Sequence, residues 1–349
     1  MRYHCFLEGE PTLDAYRLNY QPWTDYSAVF ICPFLVVTSE SGKMFNLMRG
    51  IQWQEKGEAV NFGIYRLDGK LDQQCGMHYP FSEVPLVEPY WVTETAKAVS
   101  YVGKHFRFDF GTDSYRWIDA AGRVDMTARR LGQVCTFWIP TQDNFDHPQM
   151  LRSHLGKATG TIGGEKVEGL FMLDYIYSRP DSMWSEMGML TKLHNVWMNW
   201  LVEYEDGSYE GGLAWRGRPG TQFAAAHHVC DGLSTARTDA ALSTQSTERG
   251  SISHVTLKLG DEVEAELSQY GSCDWPLHTC GTVSKTSRGK KIRKSWNYTE
   301  YFPLNWHAVA DYMAAYQKLY GRRASFQNIM KGASIVDQML VFDQNVRMA

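Results

Sequence analysis

Long apolar runs are missing from this chain. None approaches the roughly 18 consecutive apolar residues that a membrane helix needs, so no membrane span is expected. The first residues, Met1-Arg2-Tyr3-His4-Cys5, show no hydrophobic leader core, and no secretion signal is expected. An excess of positive charge is also missing. With 35 Lys and Arg against 39 Asp and Glu, the net charge is −4, and nothing calls for a nucleic-acid partner. The seven cysteines are odd in number and scattered, which predicts reduced thiols in a cytoplasmic setting rather than a disulfide framework. There the sequon Asn297-Tyr298-Thr299 is chemically idle.

The signatures of several catalytic classes are absent as well. There is no Gly-x-Ser-x-Gly elbow, no cysteine with a recognisable protease signature, and no Gly-x-Gly-x-x-Gly dinucleotide fingerprint. Gly160-Thr161-Ile162-Gly163-Gly164 is not followed by Gly-Lys-Ser/Thr or by a helical pattern, so a hairpin turn is expected rather than a phosphate loop. His227-His228 with Cys230 and Asp231, and the looser set Cys273, His278 and Cys280, lack zinc spacing, and adjacent histidines on a strand point apart. No metal and no cofactor are expected. The chemistry left open is proton transfer by the chain's own side chains.

What is present is a globular composition. The 349 residues allow one large or two ordinary domains, with 44% hydrophobic and 21% charged residues. Aromatics reach 13%, with 12 Trp and 19 Tyr, which suits large β-sheets and the walls of a binding cavity equally. Short β-branched and aromatic runs recur from Ala28 onward, and His105 to Phe110 alternates strictly, aromatics on one face and His105, Arg107 and Asp109 on the other. Turns are expected at Asp68-Gly69-Lys70, Asp119 to Arg123 and Glu205-Asp206-Gly207. The fold class is therefore mainly β and antiparallel. The exception is Trp306 to Tyr320, where Val309, Tyr312, Met313, Tyr316 and Leu319 recur at helical spacing before Gly321; a second short helix is expected near Ile335 to Phe342. The run Lys285 to Lys294 holds six Lys or Arg and reads first as a solvated hairpin, second as an anion-docking patch.

The densest collection of rings and titratable groups lies in Glu168 to Gly212. Two strands with a long loop between them are expected to face each other across a pocket. Asp174 follows the apolar run Gly169-Leu170-Phe171-Met172-Leu173. It either faces solvent or a satisfied polar network, or lines a dry pocket, where desolvation raises its pKa and suits it to general-acid work. His194 is either a structural hydrogen-bonder or the partner of that acid. At regular strand spacing Trp200 shares a face with His194 and Trp197 does not. Tyr175 and Tyr204 are candidate hydrogen-bond donors. The loops Pro140–Pro148 and Ser178–Leu193 are candidate lids.

Gly169 to Asp174, together with Trp197-Met198-Asn199-Trp200-Leu201 up to Asp206-Gly207, resembles the lipocalin-like hydratase family, which contains carotenoid 1,2-hydratase, the AttH-like proteins and related cyclases. That pattern continues past the aspartate with a basic residue and Trp-Gly, where this chain has Tyr175-Ile176-Tyr177-Ser178. The resemblance implies two lipocalin-like β-barrel or sandwich lobes, taken as 1–150 and 151–349 with the helices ending the second. It also implies a cavity for a hydrophobic small-molecule substrate of isoprenoid, steroid-like or aromatic type, of the kind met in secondary metabolism. The reaction expected is hydration, another lyase step, cyclisation or isomerisation. Asp174 matches the motif carboxylate, and with His194 and Tyr175 makes the expected catalytic set. Trp197, Trp200, Tyr177, Tyr204, Trp184 and Phe171 are the expected substrate-binding residues. Two alternatives stand beside this enzyme: a non-catalytic carrier of hydrophobic ligands, and a metal-dependent hydrolase using His227 or His228.

Overall fold

The computed structural model describes residues 1–17, 27–52, 58–67, 74–75, 87–142, 145–179, 187–246, 252–273 and 278–301. The expected helices at Trp306 to Tyr320 and Ile335 to Phe342, the turn at Asp68 to Lys70, and Trp184 lie outside these residues.

Thirteen strands come first: β1 (His4–Leu7), β2 (Ser27–Ser39), β3 (Met44–Gln52), β4 (Glu58–Leu67), β5 (Gln74–Cys75), β6 (Val87–Glu94), β7 (Val99–Gly103), β8 (Phe106–Phe110), β9 (Ser114–Asp119), β10 (Val124–Arg130), β11 (Cys135–Ile139), β12 (Gln149–Ile162) and β13 (Glu165–Ser178). Nine follow: β14 (His194–Tyr204), β15 (Tyr209–Gly217), β16 (Ala224–Cys230), β17 (Leu233–Arg237), β18 (Ala240–Ser246), β19 (Ile252–Leu259), β20 (Val263–Cys273), β21 (His278–Thr286) and β22 (Ile292–Tyr301). Pairing is antiparallel throughout except between β5 and β20.

The first sheet runs β1-β11-β12-β10-β9-β8-β7-β6-β4-β3-β2-β13, and β13 pairs back onto β12. That last pairing closes the sheet into a barrel, with β1 and β11 as a tab beside β12. The second sheet runs β17-β16-β15-β14-β22-β21-β20-β19-β18, with β5 attached to β20, and curls into a second barrel-like lobe. Sheet membership changes between Ser178 and His194. Thus β12, which spans residue 150, and β13, which follows it, belong by hydrogen bonding to the first sheet, because β13 completes the ring that β2 begins.

Period-2 alternation sorts the side chains into three apolar layers. Phe171, Leu173, Tyr175 and Tyr177 of β13 point into the first barrel beside Phe108, Phe110 and Tyr115. Val196, Met198, Trp200, Val202 and Tyr204 of β14 point into the second. The remaining faces meet between the sheets: Leu170 and Met172 of β13 and Phe34 of β2 pack with Trp197 and Leu201 of β14 and Trp296 and Tyr298 of β22. Each such side chain contributes about 1.5–3 kcal/mol when fully buried. One glycine is required here. A Cβ on Gly169 would lie 2.2 Å from the Val36 carbonyl oxygen and 3.0 Å from Trp296 Nε1. That indole donates across the lobes to Thr38 Oγ1 at 3.0 Å.

The first lobe also buries charge in pairs. Arg49 donates to both Asp119 oxygens at 2.9 Å. Arg152 donates to both Glu8 oxygens at 2.7 Å and to the Tyr177 hydroxyl at 3.1 Å. The basic run forms the β21–β22 hairpin with Gly289 at φ +61°. Its cations pair with surface acids, Lys290 with Asp206 at 2.6 Å and Lys291 with Glu205 at 2.7 Å.

A candidate acid–base site between the lobes

Register places the site. On the second lobe, Trp215 of β15, Trp197 of β14 and Glu300 of β22 are direct neighbours in one row. The next row on that face holds Leu213, Asn199 and Tyr298. On the first lobe, Ser153 of β12, Asp174 of β13 and Cys32 of β2 form the corresponding row, followed by Leu155, Met172 and Phe34. Aromatic contacts join the two faces: Phe34 lies 5.4 Å from Trp197 and 5.0 Å from Tyr298, and Phe137 lies 6.0 Å from Trp215.

His194 reaches this layer through a backbone irregularity. It pairs with Gly217 while Val196 pairs with Arg216, so β14 carries a bulge between them. One extra residue inverts the alternation. His194 therefore shares the inter-lobe face with Trp197 and packs 5.7 Å from the Trp215 ring, while Trp200 points into the second lobe. This corrects the expectation from regular spacing, which put His194 and Trp200 together.

The site is dry and acidic. Asp174 is 5% exposed, His194 2% and Trp197 4%. Burial holds the Asp174 carboxyl well above the usual carboxylate range; the Ser153 hydroxyl works against this and Glu300 adds to it. Asp174 Oδ1 has no hydrogen-bond partner among the described residues. Burial raises Glu300 to about 7, offset in part by the Tyr298 hydroxyl, which donates to Oε1 at 3.0 Å. Glu300 Oε2 is 3.7 Å from His194 Nε2. Burial, with Asp174 and Glu300 nearby, pushes the Cys32 thiol far up, so it stays a neutral wall.

Asp174, His194 and Trp197 are thus brought to one layer. The other expected site residues in the described regions lie on opposite faces of the same strands. Tyr175 points into the first barrel, its hydroxyl donating to the Tyr16 carbonyl at 3.2 Å. Tyr177 binds Arg152, and Phe171 stacks on Tyr115 at 5.1 Å. In the second lobe Trp200 stacks on His228 at 6.0 Å, and the Tyr204 hydroxyl meets Glu210 and Thr286. Glu300 was not foreseen, though Trp296-x-Tyr298-x-Glu300 alternates on one face and carries the signal. His227 and His228 face opposite ways, toward Ser234 and Glu210 respectively. Among the described residues no group of three or more His, Cys, Asp or Glu is arranged to hold a metal ion. Also among them, no helix is long and apolar enough to cross a membrane.

Two curled, barrel-like antiparallel lobes packed face to face define the class: a two-lobed, mainly β protein. Among solved structures it is similar to an AttH-like protein from Nitrosomonas europaea (15% identity, 78% of this chain and 91% of that one, TM-score 0.44). It is also similar to CghA with Sch210972 (11%, 78% and 87%, 0.45) and to kievitone hydratase from Nectria haematococca (9%, 80% and 90%, 0.34). No family model matches the sequence, and no curated protein matches it.

Proposed function

We propose that the protein is a cofactor-independent hydratase, cyclase or isomerase that moves protons on a bulky hydrophobic substrate held between the lobes. The observation that carries this reading is Asp174: a carboxyl whose burial raises it well above the usual carboxylate range, with an oxygen that has no hydrogen-bond partner among the described residues. Such a group suits proton donation to a C=C bond or a carbonyl oxygen. Positive charge developing on carbon would be stabilised by the faces of Trp197 and Tyr298, 5.9 Å apart at the same layer. Glu300, raised to about 7, and His194 beside it would take up the proton released from water or from a neighbouring carbon. The interior-facing Phe171, Tyr175, Tyr177, Trp200 and Tyr204 serve the packing of the two barrels in this reading.

The test is deuterium transfer. Isoprenoid, steroid-like and aromatic candidates incubated with the protein in D2O should acquire deuterium on carbon. Asp174→Asn should slow this by roughly 10²–10⁴-fold. A bound compound released unchanged, with no deuterium, points instead to a carrier; incorporation at the wild-type rate by Asp174→Asn overturns the assignment.

A further inference from the structure

Resting on that reading of the inter-lobe layer, we infer that the substrate carries an oxygen acceptor, a carbonyl above all, which the indole N–H groups of Trp197 and Trp215 hold beside Asp174. Both indoles are essentially buried, 4% and 1% exposed, and neither Nε1 has a hydrogen-bond partner among the described residues. An indole nitrogen can only donate, and a buried donor is nearly always paired. Two other buried indoles are paired in this way: Trp117 donates to Asp119 at 3.1 Å and Trp296 to Thr38 at 3.0 Å.

The unpaired donors are neighbours. Trp197 and Trp215 are register partners on adjacent strands, on the face that also bears Asn199 two residues on. Asn199 is fully buried, and its amide nitrogen and oxygen both lack partners among the described residues. Two indole donors, an amide and a buried carboxyl form a set that a hydrocarbon cannot satisfy. A carbonyl oxygen has two lone pairs and can accept from both indoles; the Asn199 oxygen can take a hydroxyl from the same ligand. This narrows the substrate class from any hydrophobe to an oxygenated one, such as a ketone- or phenol-bearing polycycle or isoprenoid.

A matched pair of probes tests the inference: 2-acetylnaphthalene and 2-ethylnaphthalene, which differ by C=O against CH2. Affinities are measured by ligand-observed NMR, and the indole N–H resonances are followed in ¹⁵N-labelled protein. The expected result is at least about tenfold tighter binding of the ketone, with downfield shifts of two indole protons assigned by their loss in Trp197→Phe and Trp215→Phe. Each Phe variant keeps a ring and should retain affinity for the hydrocarbon within about threefold while losing ketone preference. Should one variant fail to fold, the other carries the test. Equal affinity for the two probes, no ketone binding, or a preference that survives both substitutions overturns the inference. Turnover plays no part in this measurement. Loss of the Asp174 dependence in D2O would sink the catalytic reading while leaving the ketone preference standing, and the reverse outcome would sink only the inference.

Discussion

Glu300 Oε2 lies 3.7 Å from His194 Nε2, and the two meet on one face because β14 bulges between His194 and Val196. The contact joins β22 to the start of β14 at the layer where the first lobe presents Asp174.

Glu300 sets a pH dependence whose sign can be worked out. Its folded value, about 7, lies above the ordinary 4.5. Its contribution is fully present below pH 4.5 and is lost as pH rises through 7, by at most about 3.5 kcal/mol at about 1.4 kcal/mol per unit. Glu300→Gln should flatten this limb. Urea unfolding at pH 5 and pH 8 checks it: the wild type should lose more stability between them than the variant.

His227 contributes to the acid side, together with His154, which burial also holds well below the usual histidine range. Burial, with His228 beside it, lowers the His227 value to about 3 from 6.5. A depressed histidine favours the fold above pH 6.5, and that stability is lost as pH falls toward 3, because only the unfolded chain takes up the proton. His227→Gln should therefore be less sensitive than the wild type between pH 6.5 and pH 4, measured by thermal melts across that range.

Breaking the Arg152–Glu8 pair leaves an uncompensated cation in the first lobe. Arg152 is 2% exposed, while Glu8 retains partial access to water at 23%. Glu8→Gln should cost about 2–3 kcal/mol, somewhat below the cost for a fully buried pair. The midpoint of denaturant unfolding is the readout.

Gly169→Ala should cost about 1–3 kcal/mol, because a methyl group would press on the Val36 carbonyl and on the Trp296 indole. The near-ultraviolet signal of Trp296 should change as its hydrogen bond to Thr38 loosens, which separates this effect from a loss confined to strand pairing.

Much of the architecture was legible because it rests on local alternation. Phe106, Phe108 and Phe110 point inward and Arg107 outward, as their spacing implies. Gly163 and Gly164, with φ of +58° and +84°, make the hairpin read from the glycine cluster. The apolar run before Asp174 made a buried acid one of two readings, the other being a carboxylate facing solvent or a polar network; the side chain is 5% exposed. The composition of the site was less so. Assigning one pocket to the whole aromatic stretch overlooked that Tyr175 and Asp174 are adjacent on a strand and face opposite ways. The parity of His194 depends on a bulge visible only against its partner strand. Glu300 lies more than a hundred residues from His194 in sequence, and only the β14–β22 register brings them together.

The seam of the first barrel has a consequence for biosynthesis. The ring is completed when β13, ending at Ser178, zips onto β2, which begins at Ser27. A nascent chain that has not yet delivered that last strand exposes two raw margins, one on β2 and one on β12. Each is a template for illicit pairing with another polypeptide, and so distant a closure is intrinsically slow. Until β13 emerges from the ribosome the first barrel has no sealed wall, so its vulnerability to aggregation should fall only once some 178 residues have been delivered.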